Sequence, residues 1–224
     1  MNRNIRGIHV SLPRNDVELA RIAKDLGADG LKTHTDVHHR ASGHSFGPWN
    51  DERANIDQIL DLGLPVGLVV GSGDRVDVRT IRLAAERPFA YFDLYASEMP
   101  DEYVDACGTV APMVALGPDD TPEDAARLER AGVRAFEVST LRPELYGSPL
   151  AESTLERIRA IRASVSVPLV VPSQHRLRPD DVAVLLGAGA DAVLLGAVVL
   201  GHDTSSISEV LPSFIEAAAG TRTN

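Results

Sequence analysis

Lysine is nearly missing from this sequence. Of its 22 basic residues only Lys24 and Lys32 are lysine, and the rest are arginine. Cysteine is scarcer still. Cys107 stands alone, which excludes an intrachain disulfide and fits a reducing compartment. A lone cysteine of this kind reads as a small core residue rather than a nucleophile. Positive charge is also in deficit. A formal net charge of −10 argues against a nucleic-acid partner or an anionic membrane surface, but not against one small phosphate held by backbone dipoles. The opening residues 1–6 lack the apolar core of a secretory signal. The longest apolar stretch, residues 182–201, approaches the length of a membrane span. It contains Asp191 and several glycines, and it divides into helix, turn and strand. The expectation is a cytoplasmic protein with no membrane partner and no cofactor.

What is present is a repeated alternation of strand and helix over 224 residues, of which 44% are apolar. That length and rhythm suit one (β/α)8 TIM barrel across residues 1–224. The eight strands are read at residues 7–12, 29–35, 65–70, 89–96, 109–116, 133–139, 167–171 and 190–195. Helices follow each of them. Asn15 is read as the N-cap of the first, Asp51 as the start of the second, and Met99-Pro100-Asp101 as the start of a short fourth. Thr121-Pro122-Glu123-Asp124 opens the fifth with a cap, an N1 proline and acids in the first turn. The last helix covers residues 206–219.

Alternation along the strands assigns the barrel interior. Side chains that pack on the surrounding helices must be apolar, and this fixes the parity of four strands. With Ile8 and Val10 outward, His9 and Ser11 point in. With Leu31 outward, Lys32 and His34 point in. Phe92 and Leu94 leave Asp93 and Tyr95 inside, and Phe136 and Val138 leave Glu137 and Ser139 inside. One lysine, two carboxylates and two histidines therefore converge near the C-terminal ends of strands, where active sites of this fold lie. A buried ion-pair cluster that only fills the barrel is the plainer alternative. Lysine retained here, in so arginine-rich a chain, favours chemistry, because arginine neither loses its proton nor forms an imine. All seven histidines fall on strands or on the loops that follow them, as a polar barrel mouth would require.

Two loops hold further candidates. His34, Asp36 and His38 alternate, and if extended they share a face that would suit a divalent metal. A hydrogen-bonded loop is the alternative. The segment from His38 to Trp49 is long for a βα loop. With Arg40, two glycines and the only tryptophan, it reads either as a lid over an anionic ligand or as packing at the barrel top or a homodimer contact. Gly71-Ser72-Gly73 offers a second backbone nest for an anion, or a simple tight turn.

Two resemblances add to this. Residues 167–175, with Arg178-Pro179-Asp180-Asp181 and the run 190–197, resemble the last two units of the ribulose-phosphate-binding barrels, which include phosphosugar epimerases and isomerases. The resemblance implies a phosphate held by the loops after strands 7 and 8, at Ser173, His175, Gly196 and Ala197. Among these barrels, the N-acetylmannosamine-phosphate 2-epimerases carry a catalytic lysine and glutamate where this chain has Val69-Val70-Gly71 and Pro172-Ser173, so only the anion site carries over. Ser11-Leu12-Pro13-Arg14-Asn15, Gly27-Ala28-Asp29 and Lys32 are similar to the opening of the (5-formylfuran-3-yl)methyl phosphate synthases, which implies a Schiff-base lysine at Lys32.

Four functions follow as expectations. The first is an isomerase or epimerase acting on a small phosphorylated carbonyl compound. In it Glu137 or Asp93 is the base, His9 or His34 the acid, and Lys32 a cation that stabilises the enolate. The second is a Schiff-base lyase or aldolase using Lys32 with its pKa lowered by burial. The third is a barrel that binds a phosphorylated ligand without turning it over. The fourth is a metal-dependent hydrolase.

Overall fold

A computed structural model describes residues 5–221. The signal-like features sought in residues 1–4 lie outside this range. Eight parallel strands close into a barrel in the order β1-β10-β9-β8-β7-β6-β5-β2. They are β1 (Gly7–Ser11), β2 (Gly30–Thr35), β5 (Val66–Val70), β6 (Tyr91–Asp93), β7 (Ala111–Leu116), β8 (Ala135–Val138), β9 (Leu169–Pro172) and β10 (Ala192–Leu195). Closure is made by β1 against β10, with Ile8 level with Val193 and Val10 with Leu195. Around the barrel run α1 (Val17–Asp25), α2 (Trp49–Leu60), α3 (Val78–Ala84), α4 (Tyr103–Ala106), α5 (Pro122–Arg130), α6 (Glu152–Ser164), α7 (Pro179–Gly187), α8 (Ala197–Leu200) and α9 (Thr204–Thr221).

The two predicted faces of the strands separate as alternation requires. Ile8, Val10, Leu31, Phe92, Leu94, Phe136 and Val138 join one buried apolar layer with the helices. Tyr91, Met113, Ala135, Val170, Ala192 and Leu194 form a second, smaller cluster. Complete burial of one large aliphatic or aromatic side chain contributes roughly 1.5–3 kcal/mol, so the outer layer carries most of the stability. Two glycines make room inside. A Cβ on Gly30 would lie 2.5 Å from the His9 ring, and one on Gly67 would overlap the Tyr91 ring.

Local differences from the sequence reading have simple causes. Asp16, not Asn15, caps α1, accepting from the Glu18 and Leu19 N–H groups. Asn15 is instead buried, and its amide hydrogen-bonds both backbone groups of His34. The capping box at Thr121 and Asp124 is present as expected. Helix α2 begins at Trp49, after Pro48. Trp49 therefore belongs to the core, where it packs edge-on to Phe89 with the Arg87 guanidinium 5.0 Å from its ring centre. It is no part of a lid. Between Ala96 and Glu98 the chain makes a tight 3-10 turn, and α4 starts later than read, at Tyr103. No described helix is long and apolar enough to cross a membrane.

Candidate active site

Lys32 sits midway along β2, and its ammonium lies 2.5 Å from Asp93 Oδ2 and 2.5 Å from Glu137 Oε2. Strands β2 and β8 are diametrically opposed in the barrel order, so the Lys32–Glu137 bond crosses the barrel axis. All three side chains are under a tenth exposed. Burial works against the lysine's charge, yet the carboxylates of Asp93 and Glu137 outweigh it and hold the ammonium above its ordinary range. The lowered lysine pKa expected of a Schiff-base nucleophile is therefore not found, because two anions sit where an apolar pocket would be needed. Burial pushes the Asp93 carboxyl up to about 7, against the pull of Lys32 and with the like charge of Glu137 adding to the rise. Glu137 Oε1 accepts from the Ser139 hydroxyl at 3.0 Å. Asp93 Oδ1 is buried and receives no hydrogen bond.

These groups form the floor of a cavity of about 470 Å³ at the C-terminal ends of the strands. His34 lines its wall. Burial first, then the neighbouring His39 and Lys32, hold His34 well below the usual imidazole range, so the ring is neutral. Its Nε2 lies 3.4 Å from the Ser11 hydroxyl, and its Nδ1 has no partner. His9 points inward as predicted but lies deeper, against Gly30, and does not reach the cavity. Burial lowers its pKa to about 4.

The long segment after β2 folds as a hairpin, β3 (His38–His39) against β4 (His44–Ser45). Its base is closed by the Asp36 N–H donating to Gly47 and the Phe46 N–H donating to Val37, each 2.9 Å. Phe46 is buried and stacks on His34 at 4.6 Å. Glu52 fixes the hairpin from below, accepting from Gly47 N–H and from the Asn15 amide. Arg40 and His39 reach the cavity from this hairpin. The shared face proposed for His34, Asp36 and His38 does not form. Asp36 takes a left-handed φ of 52°, which breaks the alternation, and His38 turns to the Ser45 hydroxyl. No metal-holding group of three His, Cys, Asp or Glu occurs among the described residues.

The phosphate candidates divide. Ser173 and Gly196 line the cavity, with the Gly196 N–H donating to Ser173 Oγ at 2.8 Å. The Ser173 N–H donates to Leu194. Ala197 is buried beside them without lining the cavity. His175 is turned away, its ring held by the Thr154 and Ser148 hydroxyls, so it is a packing residue and not a ligand contact. Gly71 and Ser72 lie at the mouth but Gly73 does not, being the first residue of a tight 3-10 turn. A Cβ on Gly71 would lie 2.8 Å from the Arg75 carbonyl, which accounts for glycine there by the turn alone.

Gln174, unassigned by the sequence reading, organises the opposite wall. It accepts from Leu141 N–H and donates to the Tyr146 hydroxyl at 3.0 Å. Its place directly after a barrel strand was the available signal. Glu98, one 3-10 turn beyond β6, is a second such residue.

No protein-family model and no curated protein matches the sequence. Solved structures do. Tryptophan synthase from Mycobacterium tuberculosis is 16% identical with a TM-score of 0.74, over 97% of this chain and 93% of that one. Phosphoribosyl anthranilate isomerase from Thermus thermophilus is 17% identical with a TM-score of 0.68, over 95% and 98%. The N-acetylmannosamine-6-phosphate 2-epimerase from Clostridium perfringens is 14% identical with a TM-score of 0.66, over 93% of each chain. At such identities the likeness establishes the fold, a closed parallel (β/α)8 barrel.

Proposed function

We propose that this chain is an enzyme that moves a proton at the carbon beside the carbonyl of a small phosphorylated compound, giving an isomer or epimer. One observation carries the reading: a buried ammonium held between two carboxylates on the floor of the cavity, with one carboxylate oxygen left without a donor. A barrel that needed only filling would hold apolar side chains there, since a buried ion pair stabilises less than the packing it replaces. Two of the barrels it resembles in structure are by name an isomerase and an epimerase of phosphorylated compounds.

In this reading the substrate carbonyl oxygen lies against the Lys32 ammonium. Asp93, or Glu137 acting with it, takes the proton from the adjacent carbon. The C–H electron pair becomes the enolate double bond, and the charge gathers on oxygen beside Lys32, where a fixed cation is most effective. Neutral His34 offers its free ring nitrogen as the hydrogen-bonding partner of a second oxygen. Return of the proton to the same carbon from the other face gives an epimer, and return to the neighbouring carbon gives an isomer. The phosphate lies toward Ser173 and Gly196, with Arg40 of the hairpin lining the same cavity.

The test is solvent exchange. A panel of phosphorylated aldoses and ketoses in heavy water, followed by proton NMR, should show loss of one carbon-bound proton with the wild type. Asp93→Asn should slow that loss by about 100-fold or more, the usual contribution of a positioned base. Absence of exchange across the panel, or undiminished exchange in both Asp93→Asn and Glu137→Gln, would overturn the reading. A borohydride-stable adduct on Lys32 would instead favour imine chemistry.

A further inference from the structure

We infer that Glu98 and Ser72 form a subsite that reads a hydrogen-bond-donating tail, hydroxyl or ammonium, at the end of the substrate remote from its phosphate. This rests on the proton-transfer reading and extends it to the substrate's shape. Ser72 follows β5 and Glu98 follows β6, and the Ser72 hydroxyl donates to Glu98 Oε1 at 3.1 Å. That bond leaves two acceptors side by side. Glu98 Oε2 is buried without a partner, and Ser72 Oγ keeps a lone pair. Both residues line the same cavity as Asp93 and His34, whose own buried atoms also lack partners.

The barrel order places β5 across from β9 and β6 across from β10. The acceptor pair therefore faces Ser173 and Gly196 across the mouth, with the Lys32 ammonium between them. A ligand whose phosphate lies on the β9–β10 side would carry its reacting carbonyl over Lys32 and direct its far end at Glu98. A buried carboxylate oxygen is costly unless it accepts a hydrogen bond, and an apolar tail supplies none. Charge points the same way. The cavity is lined by five carboxylates (Asp93, Glu98, Asp119, Asp120 and Glu137) against Lys32, Arg40 and Arg142. Of those carboxylates, Glu98 is the one with a buried, unpartnered oxygen outside the Lys32 cluster.

Calorimetric titration with three phosphates of equal carbon count tests this without needing turnover. Pentyl phosphate has an apolar tail, D-ribitol 5-phosphate a hydroxyl tail, and 5-aminopentyl phosphate an ammonium tail. The wild type should bind at least one donor-bearing probe about tenfold or more tighter than pentyl phosphate, the effect of one hydrogen bond to a charged acceptor. Which of the two wins identifies the tail. Glu98→Ala should erase that advantage, bringing the ratio of donor-bearing to pentyl phosphate affinity to about one, and Ser72→Ala should reduce it. Glu98→Gln, which keeps shape and loses charge, should spare a hydroxyl advantage better than an ammonium one. Binding of all three probes with equal affinity, or an advantage that survives Glu98→Ala, overturns the subsite alone. Failure of every probe to bind the wild type overturns both the subsite and the phosphorylated-substrate reading.

Discussion

At the scale of single residues, the site turns on the charge state of three side chains. Asp93 is raised to about 7, so its base form grows as pH rises through that value. The second-order rate of proton exchange should therefore climb between roughly pH 6 and 8 as a single ionisation and then level. A rate–pH profile on the best substrate of the panel checks this, and a rate that falls with pH across that window would contradict it. Lys32→Met would leave two buried carboxylates without a cation, a loss of about 3–5 kcal/mol when one partner of a buried pair is removed. With the cation gone, nothing would oppose the rise that burial gives the Asp93 carboxyl, and a group with a raised folded-state pKa stabilises the fold below its unfolded pKa and ceases to as pH rises. The deficit measured by urea denaturation should thus be larger at pH 8 than at pH 5. Lys32→Arg should keep much of the stability and lose exchange, because the planar guanidinium cannot occupy the same point between Asp93 and Glu137.

The elements were the most legible level in the sequence, for a physical reason. A strand that packs helices on one side and fills a barrel on the other must alternate, so Ile8, Leu31, Phe92 and Phe136 disclosed His9, Lys32, Asp93 and Glu137. The same argument gives direction but not depth. His9 and Lys32 share an orientation, yet register places His9 level with Gly30, below the cavity. Loops were less legible, because their conformation depends on partners distant in sequence. The pairing of β3 with β4 could not be read from residues 36–50 when Asn15, Glu52 and His34 are what hold the hairpin. Likewise His175 looked like a mouth residue until Thr154, on α6, supplied its partner. Two predictions belong here. Phe46→Ala should loosen the hairpin, since its ring is buried on His34. Limited proteolysis should then cut between residues 40 and 44 faster than in the wild type, with little change in global unfolding. Gly67→Ala should destabilise by about 1–3 kcal/mol, the usual cost of an added methyl in a filled interior, as measured by denaturant midpoint.

Across the whole molecule, the cavity and a second polar network sit at opposite ends of the barrel. The cavity opens at the C-terminal ends of the strands. At the other end Arg162 donates to the Val165 and Val167 carbonyls and pairs with Asp191, whose carboxylate also accepts from Leu169 N–H. These contacts join α6 to the starts of β9 and β10. Arg162→Ala should therefore lower the melting temperature by several degrees, at about 2–4 °C per kcal/mol for a chain of this size. The exchange rate below the melting transition should be unchanged. A loss of exchange without a loss of stability would mean that the two ends are not independent.

The hydrogen bond from Lys32 to Glu137 has one more implication. Its two residues stand on opposing staves, so it spans the bore of the cylinder, while Asp93 holds the same nitrogen from a third direction. The three side chains thus tie together staves β2, β6 and β8, none of which neighbours another in the barrel.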